Sequence, residues 1–212
     1  MPDSLISIII FSPLLGLVTI PFLRGESVIK WVSLLVTLIT FVLSIPVFLG
    51  FDPGNSGLQF VHEIKNWIRI SDQFTIHYQF GLDGVALLLF VLTSFLFFLS
   101  SAASWTYIHK RVKEFHISLL LLEIGVLGVF ASANLVLFYV FWELMLIPMA
   151  LLIGVWGGEN RLYAAIKFFI YTMAGSVLML AGILIIYFKA NTVSIEQLSV
   201  MKLDNFSVEL QT

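Results

Sequence analysis

The chain has 212 residues, of which 59% are hydrophobic and 11% charged, and its formal net charge is −2. A soluble domain is about a quarter charged, so this composition describes a membrane protein with little outside the bilayer and excludes nucleic acid as a partner. The sequence has 0 cysteines, which excludes disulfides, thiolate clusters and c-type haem attachment.

Apolar runs separated by breakers predict an all-α polytopic membrane protein with about six transmembrane helices. Span one covers about Leu5–Leu23 and contains Pro13 and Pro21. It has neither a basic leading segment nor a small-residue cleavage site, so it reads as a retained span rather than a signal peptide. Span two follows at about Ile29–Leu49 and completes an N-terminal two-helix hairpin over residues 1–50. An extramembrane connection occupies 51–82. Its alternation of polar and apolar residues around Ile68-Arg69-Ile70-Ser71-Asp72 predicts a β-hairpin or an amphipathic surface segment. Span three, about Asp83–Tyr107, opens with Asp83 in a capping position. Span four is about Phe115–Ala133, and spans three and four together fill 83–133. Only Ala133-Asn134 separates it from span five, about Leu135–Trp156, so these two helices are antiparallel neighbours. Span six, about Leu162–Phe188, completes the unit 134–188. The remainder, 189–212, is polar, shows no helix signal and reads as a loop leading to a further span.

Basic residues set the orientation. Arg24 and Lys30 follow span one, Lys110, Arg111 and Lys113 follow span three, and Arg161 follows span five. The positive-inside rule puts these loops in the cytoplasm or matrix, and the N-terminus, the hairpin and the tail outside. His62, His77, His109 and His116 all fall in or beside polar connections. They read as interfacial histidines rather than haem or metal ligands.

Glu143 is the deepest charge, inside the apolar run LVLFYVFWELMLIPMALLIGVW. A carboxylate at the bilayer centre costs roughly 2.5–3.5 kcal/mol on insertion scales, and an ion or proton pathway is its default explanation. Pro148 follows as a candidate helix break, freeing backbone polar groups beside the acid. Glu123 lies in span four within LLLLEIGVLGVF. At about 1.5 Å per residue, Glu143 is roughly 12 Å and Glu123 roughly 15 Å from the outer end, so the antiparallel pair sits at similar depth. The sequence leaves open whether they face each other. If they do, like charge disfavours double ionisation, as suits a proton carrier. Lys167 has two readings, a lysine snorkelling to the interface or an auxiliary charge partner reached through water. Thr172, Gly175 and Ser176 suit close helix packing, with hydroxyls able to hold water. The phenylalanines, 20 in number, read as packing and lipid-facing residues.

The words FWELMLIPM and KFFIYTMAGSVLML, with FGLDGVALLLFVLTSFL opening span three, resemble the proton-conducting antiporter-like family. The resemblance is strongest to its chain M branch, a membrane-arm subunit of NADH:quinone oxidoreductase (respiratory complex I), with mitochondrial subunit four as counterpart. It extends over essentially the whole chain and implies a truncated antiporter-like fold: the family has about fourteen spans, built from two inverted repeats. Spans four to eight there form a first half-channel, whose glutamate on span five is matched by Glu143. A further span-four glutamate is matched by Glu123. The family's channel lysine lies on a broken span seven, so the sequence is expected to end before it, with the first half-channel incomplete. Lys167 matches a different position, on span six.

The resemblance also implies a function: coupling quinone reduction to proton translocation in a bacterial or mitochondrial inner membrane. No cofactor or metal is expected in this chain. NAD, FMN, iron–sulfur clusters and quinone would be handled by other subunits, and the expected partners are the other membrane-arm subunits and the lipid bilayer. Alternatives that share the module are a multi-subunit cation/proton antiporter and a membrane-bound hydrogenase. A further alternative is a structural or non-functional fragment.

Overall fold

Prolines and glycines cut the apolar sequence into helices, and the computed structural model describes residues 4–55, 57–69 and 75–201. The first run is split at Pro13, which lacks the amide needed to continue a helix. It gives α1 (Leu5–Phe11), α2 (Leu14–Thr19) and a short 3-10 turn over Ile20–Phe22. The Ser12 hydroxyl bridges the break, donating to the Ile9 carbonyl at 2.8 Å and pairing with the Thr40 hydroxyl at 2.7 Å. After Gly25, whose φ of 105° favours glycine, come α3 (Glu26–Leu49), α4 (Gly84–Tyr107), α5 (Val112–Ala131), α6 (Leu135–Trp156) and α7 (Arg161–Ala190). Counting α1 and α2 as one span, 6 helices among the described residues are long and apolar enough to cross a bilayer. This is a multi-span membrane chain.

Three expectations change. Lys30 is not a loop residue. It lies in the second turn of α3, buried, with its ammonium donating to the Trp105 carbonyl at 3.2 Å. His116 is not interfacial: it is fully buried within α5. The tail does contain helix, since α8 (Ile195–Val200) follows α7; residues 202–212 lie outside the described residues.

The extramembrane connection is a hairpin, β1 (Gln59–Arg69) antiparallel to β2 (Thr75–Leu82), and the Ile70-Ser71-Asp72 part of the predicted pattern lies outside the described residues. Strand alternation sends Tyr78, Phe80 and Leu82 to one face, where they are buried in a core with Ile6, Ile9 and Ile10 of α1 and Phe141 of α6. The Tyr78 hydroxyl donates to Ser7 at 2.8 Å, and Ser7 pairs with His62 Nδ1 at 2.6 Å. Burial raises the Tyr78 phenol above its ordinary range, opposed by the Ser7 hydrogen bond. The turn between α5 and α6 joins this layer: the Ala133 amide donates to the Gln79 carbonyl and the Ile195 amide to the Ala133 carbonyl, each at 3.0 Å. The hairpin, the α5–α6 turn and the start of α8 therefore share one end of the bundle.

Two helix interfaces rest on unusual residues. Along α3, Lys30, Ser33, Thr37, Thr40 and Ser44 are all buried. Their alternating steps of three and four put them on one seam. Ser33 pairs with Ser101 of α4 at 3.3 Å, and Ser44 with Ser94 at 3.0 Å. Between α5 and α6 the backbones close through glycine. A Cβ on Gly125 would stand 2.5 Å from Met145 Cγ, and one on Gly128 would enter the Phe141 ring. Gly128→Ala therefore costs about 1–3 kcal/mol by overpacking. The thermal midpoint of the purified protein should fall, whereas Gly175→Ala, with nothing within 4 Å, should not lower it.

Candidate functional site

Asn134 starts α6 by accepting the amides of Val136 and Leu137 at 2.9 and 3.3 Å. This cap satisfies donors that would otherwise be orphaned, and it fixes where each later α6 side chain points. Phe141 and Met145, one turn apart, are the residues that meet Gly125 and Gly128 of α5. Glu143 is two residues from each, about 200° around the helix, so it points away from α5. It faces α7, as does Gly154 farther along α6, whose added Cβ would stand 3.3 Å from Ala165.

Glu143 is half-buried, and its Oε1 is buried with no hydrogen-bond partner among the described residues. Tyr139, one turn earlier on the same face, interacts with the Glu143 carboxylate and with the Ser176 hydroxyl of α7. Ser176 is buried and also donates to its own helix at Met173. The α6–α7 interface thus presents a carboxylate, a phenol and a serine hydroxyl together. Such a set can hold a proton and pass it through hydrogen bonds.

Glu123 belongs elsewhere. It is two residues before Gly125, again about 200° around its helix, so it turns its back on α6. It shares a face with His116, Leu120 and Leu127, and Leu120 packs against Gly16 and the α3 residue Val36. Glu123 is fully buried, and neither carboxylate oxygen has a partner among the described residues. The acids are at similar depth, since Gly125 lies opposite Phe141 and Met145. They occupy opposite sides of the α5–α6 pair, so the face-to-face arrangement is not formed.

Lys167 is exposed on α7, with its ammonium 5.7 Å from the Tyr163 ring centroid, a cation–π arrangement. It is not brought to Glu143. Pro148 lies inside α6, which continues to Trp156 rather than breaking. Its effect is local, because it removes the donor for the Leu144 carbonyl one turn back, on the residue next to Glu143. Thr172 donates to the Phe168 carbonyl of its own helix at 2.8 Å, and Gly175 is open. Asp83 caps α4 by accepting the Ala86 amide at 2.7 Å.

Tyr139 was missed in the sequence, where its spacing of four from Glu143 was the signal that could have found it. Ser176 was noticed there for packing, but its place beside that phenol depends on the register of α7 against α6. Among the described residues no group of three or more His, Cys, Asp or Glu side chains could hold a metal ion.

Comparison with known proteins places this geometry in context. Residues 132–211 match the family described as NADH:quinone oxidoreductase/Mrp antiporter, transmembrane. The chain is 44% identical over 199 residues to NADH-quinone oxidoreductase subunit M of Rhodobacter capsulatus, covering 91% of this chain and 38% of the relative. It is 35% identical over 191 residues to NADH-ubiquinone oxidoreductase chain 4 of Arabidopsis thaliana, covering 89% and 38% respectively. The chain thus spans about two fifths of the length of the curated relatives it matches. Among solved structures, respiratory complex I from Thermus thermophilus has a chain superposing with a TM-score of 0.75 at 27% identity, covering 91% of this chain and 38% of that one. An archaeal membrane-bound sulfane sulfur reductase superposes with a TM-score of 0.78 at 19% identity, covering 98% and 42%, which shows the shared fold.

If the two acids stand back to back, paired cysteines report it. Gly128→Cys with Phe141→Cys should form a disulfide under mild oxidation, whereas Glu123→Cys with Glu143→Cys should not. Gel mobility of the oxidised double variants is the measurement.

Proposed function

We propose that the chain, as a member of the antiporter-like membrane-subunit family of NADH:quinone oxidoreductase that its relatives represent, takes part in proton translocation within the membrane arm of such an enzyme. The observation that carries the reading is Glu143, held at mid-depth with one oxygen buried and unpartnered, beside Tyr139 and, through it, Ser176. A nearby change in charge favours one form of a carboxyl over the other, and no fixed counter-ion stands beside this one among the described residues.

In this mechanism Glu143 takes a proton when no positive charge stands beside it and releases one when a cation approaches. Tyr139 and Ser176 steer the hydrogen bonds of the carboxyl toward α7. Lys167 stands over the Tyr163 ring, so it is not assigned as that cation. The redox reaction belongs to other subunits, which hold the nicotinamide, flavin, iron–sulfur clusters and quinone. The other membrane-arm subunits are the proposed partners. The basic loops at Arg24, at Lys110 to Lys113 and at Arg161 support an orientation with the hairpin and N-terminus on the outer side of a bacterial or mitochondrial inner membrane.

The matched family also covers cation/proton antiporters. The curated relatives quoted above are NADH:quinone oxidoreductase subunits at up to 44% identity, which supports the first reading. Glu143→Gln, introduced into the enzyme, tests it. Proton translocation should fall by about tenfold or more, on the scale of losing a general acid–base group, with assembly intact. Full pumping in an assembled variant would refute the role of Glu143.

A further inference from the structure

The buried polar groups that Glu143 does not use gather at the basic-loop end of α3, α4 and α5. Lys30, near the start of α3, is buried and donates to the carbonyl of Trp105 at the end of α4. Trp105 Nε1 is buried with no partner among the described residues. His116, near the start of α5, is fully buried, and neither ring nitrogen has a partner among the described residues. Lys30 is close enough to act on that ring electrostatically. Seven residues farther along the same face of α5, about 10 Å deeper, stands Glu123 with both oxygens unpartnered.

Buried polar groups are almost always hydrogen-bonded, to protein or to ordered water. Here five side-chain atoms on two adjacent helices, Trp105 Nε1, both His116 nitrogens and both Glu123 oxygens, have no protein partner among the described residues. A chance orphan would be isolated. These share one helix bundle and run from its basic end toward its middle. The same face of α5 packs through Leu120 on Val36 of α3, the helix that carries the hydroxyl seam. There the hydroxyl of Thr37 donates to carbonyls of its own helix and keeps lone pairs free to accept from water. Ser12, at the α1–α2 break, extends the same polar surface through Thr40. Irregular backbone and hydroxyls at membrane depth are tolerated where they line a hydrated interior.

We propose that Lys30, Trp105 and His116 bind ordered water and form a proton inlet from the basic-loop face to Glu123, separate from the α6–α7 face that carries Glu143. A neutral imidazole has one donor and one acceptor nitrogen, so His116 can pass a proton without net change. A hydronium on the basic-loop side gives a proton to the acceptor nitrogen and is left as water, the other nitrogen releases its proton to the inner water, and the hydronium so formed protonates an ionised Glu123 oxygen. Tautomer exchange then resets the ring. Lys30 orders the outer water with its ammonium donors, and Trp105 Nε1 donates to it. The use made of the proton rests on the translocation reading above; the access route does not.

The test reads access directly. In the membrane complex that carries the chain, infrared difference spectra against Glu123→Gln identify the protonated Glu123 carboxyl, and transfer to heavy water gives its exchange rate. His116→Phe should slow that exchange by about tenfold or more, and Lys30→Met should slow it too. His116→Gln, which still hydrogen-bonds, should stay nearer the parent rate. The exchange of Glu143, identified in the same way, should be unaffected by all three. Unchanged Glu123 exchange in His116→Phe would overturn the proposal, as would the absence of any Glu123 carboxyl band. Either result leaves proton translocation through Glu143 standing, and full translocation in Glu143→Gln, which would refute that reading, would leave the Glu123 exchange result intact.

Discussion

The close approach of α5 and α6 at Gly125 and Gly128 governs the placement of everything else in the bundle. Helices in a bilayer gain little from hydrophobic exclusion, so backbone proximity and shape carry their association. With no Cβ at these positions, the Phe141 ring and Met145 enter the space beside α5. That contact fixes the rotation of both helices about their axes. The two glutamates, each two residues from a contact residue, are thereby driven to opposite sides. The Asn134 cap and the hairpin hydrogen bonds at Ala133 then fix the level at which the helices meet.

The consequence is an interior divided in two. On one side, α6 and α7 enclose Glu143, Tyr139 and Ser176. On the other, α1 to α5 enclose Glu123, His116, Lys30 and the hydroxyl seam. Each buried charge carries an insertion cost of a few kcal/mol, so two separate groups are an arrangement that packing alone does not explain. The seam of Ser33, Thr37, Thr40 and Ser44 is compatible with tight α3–α4 packing because Thr37, Thr40 and Ser44 can bond to the preceding turn and Ser33 pairs with Ser101. They can therefore line a hydrated surface without destabilising the helix that bears them.

Much of this was legible in the sequence. The spans follow from apolar length, the hairpin from alternation in the 51–82 connection, and the α4 start from Asp83. The antiparallel α5–α6 pair follows from a connection of two residues. Glu143 and Glu123 stand out because carboxylates are rare in such runs. Their mutual orientation was not legible, because it depends on which glycines form the contact, and α5 offers Gly125 and Gly128 without saying what they meet. His116 misled for a related reason. It stands near a basic loop in sequence, yet α5 begins at Val112 and is covered by α3 and α4, so the first turns are already interior. Lys30 was counted with the loop charges because it stands at the second position of the predicted span, where a lysine ordinarily reaches back to the interface, whereas α3 begins a turn earlier at Glu26 and takes it inside. Pro148 suggested a break, but the surrounding apolar run is long enough to carry the helix through one missing hydrogen bond. The α3 seam was visible as a spacing of threes and fours among hydroxyl residues, although nothing in one sequence says that this stripe faces protein rather than lipid.

The central claim is that Glu123 and Glu143 serve separate compartments. It is tested most directly by titrating the Glu143 carboxyl, followed by its infrared band, with and without Glu123→Gln. Separated by two helix widths, the acids should be nearly independent, and the two titration curves should superpose. A curve displaced by about one pH unit or more, the size expected when like charges share a site, would contradict the account.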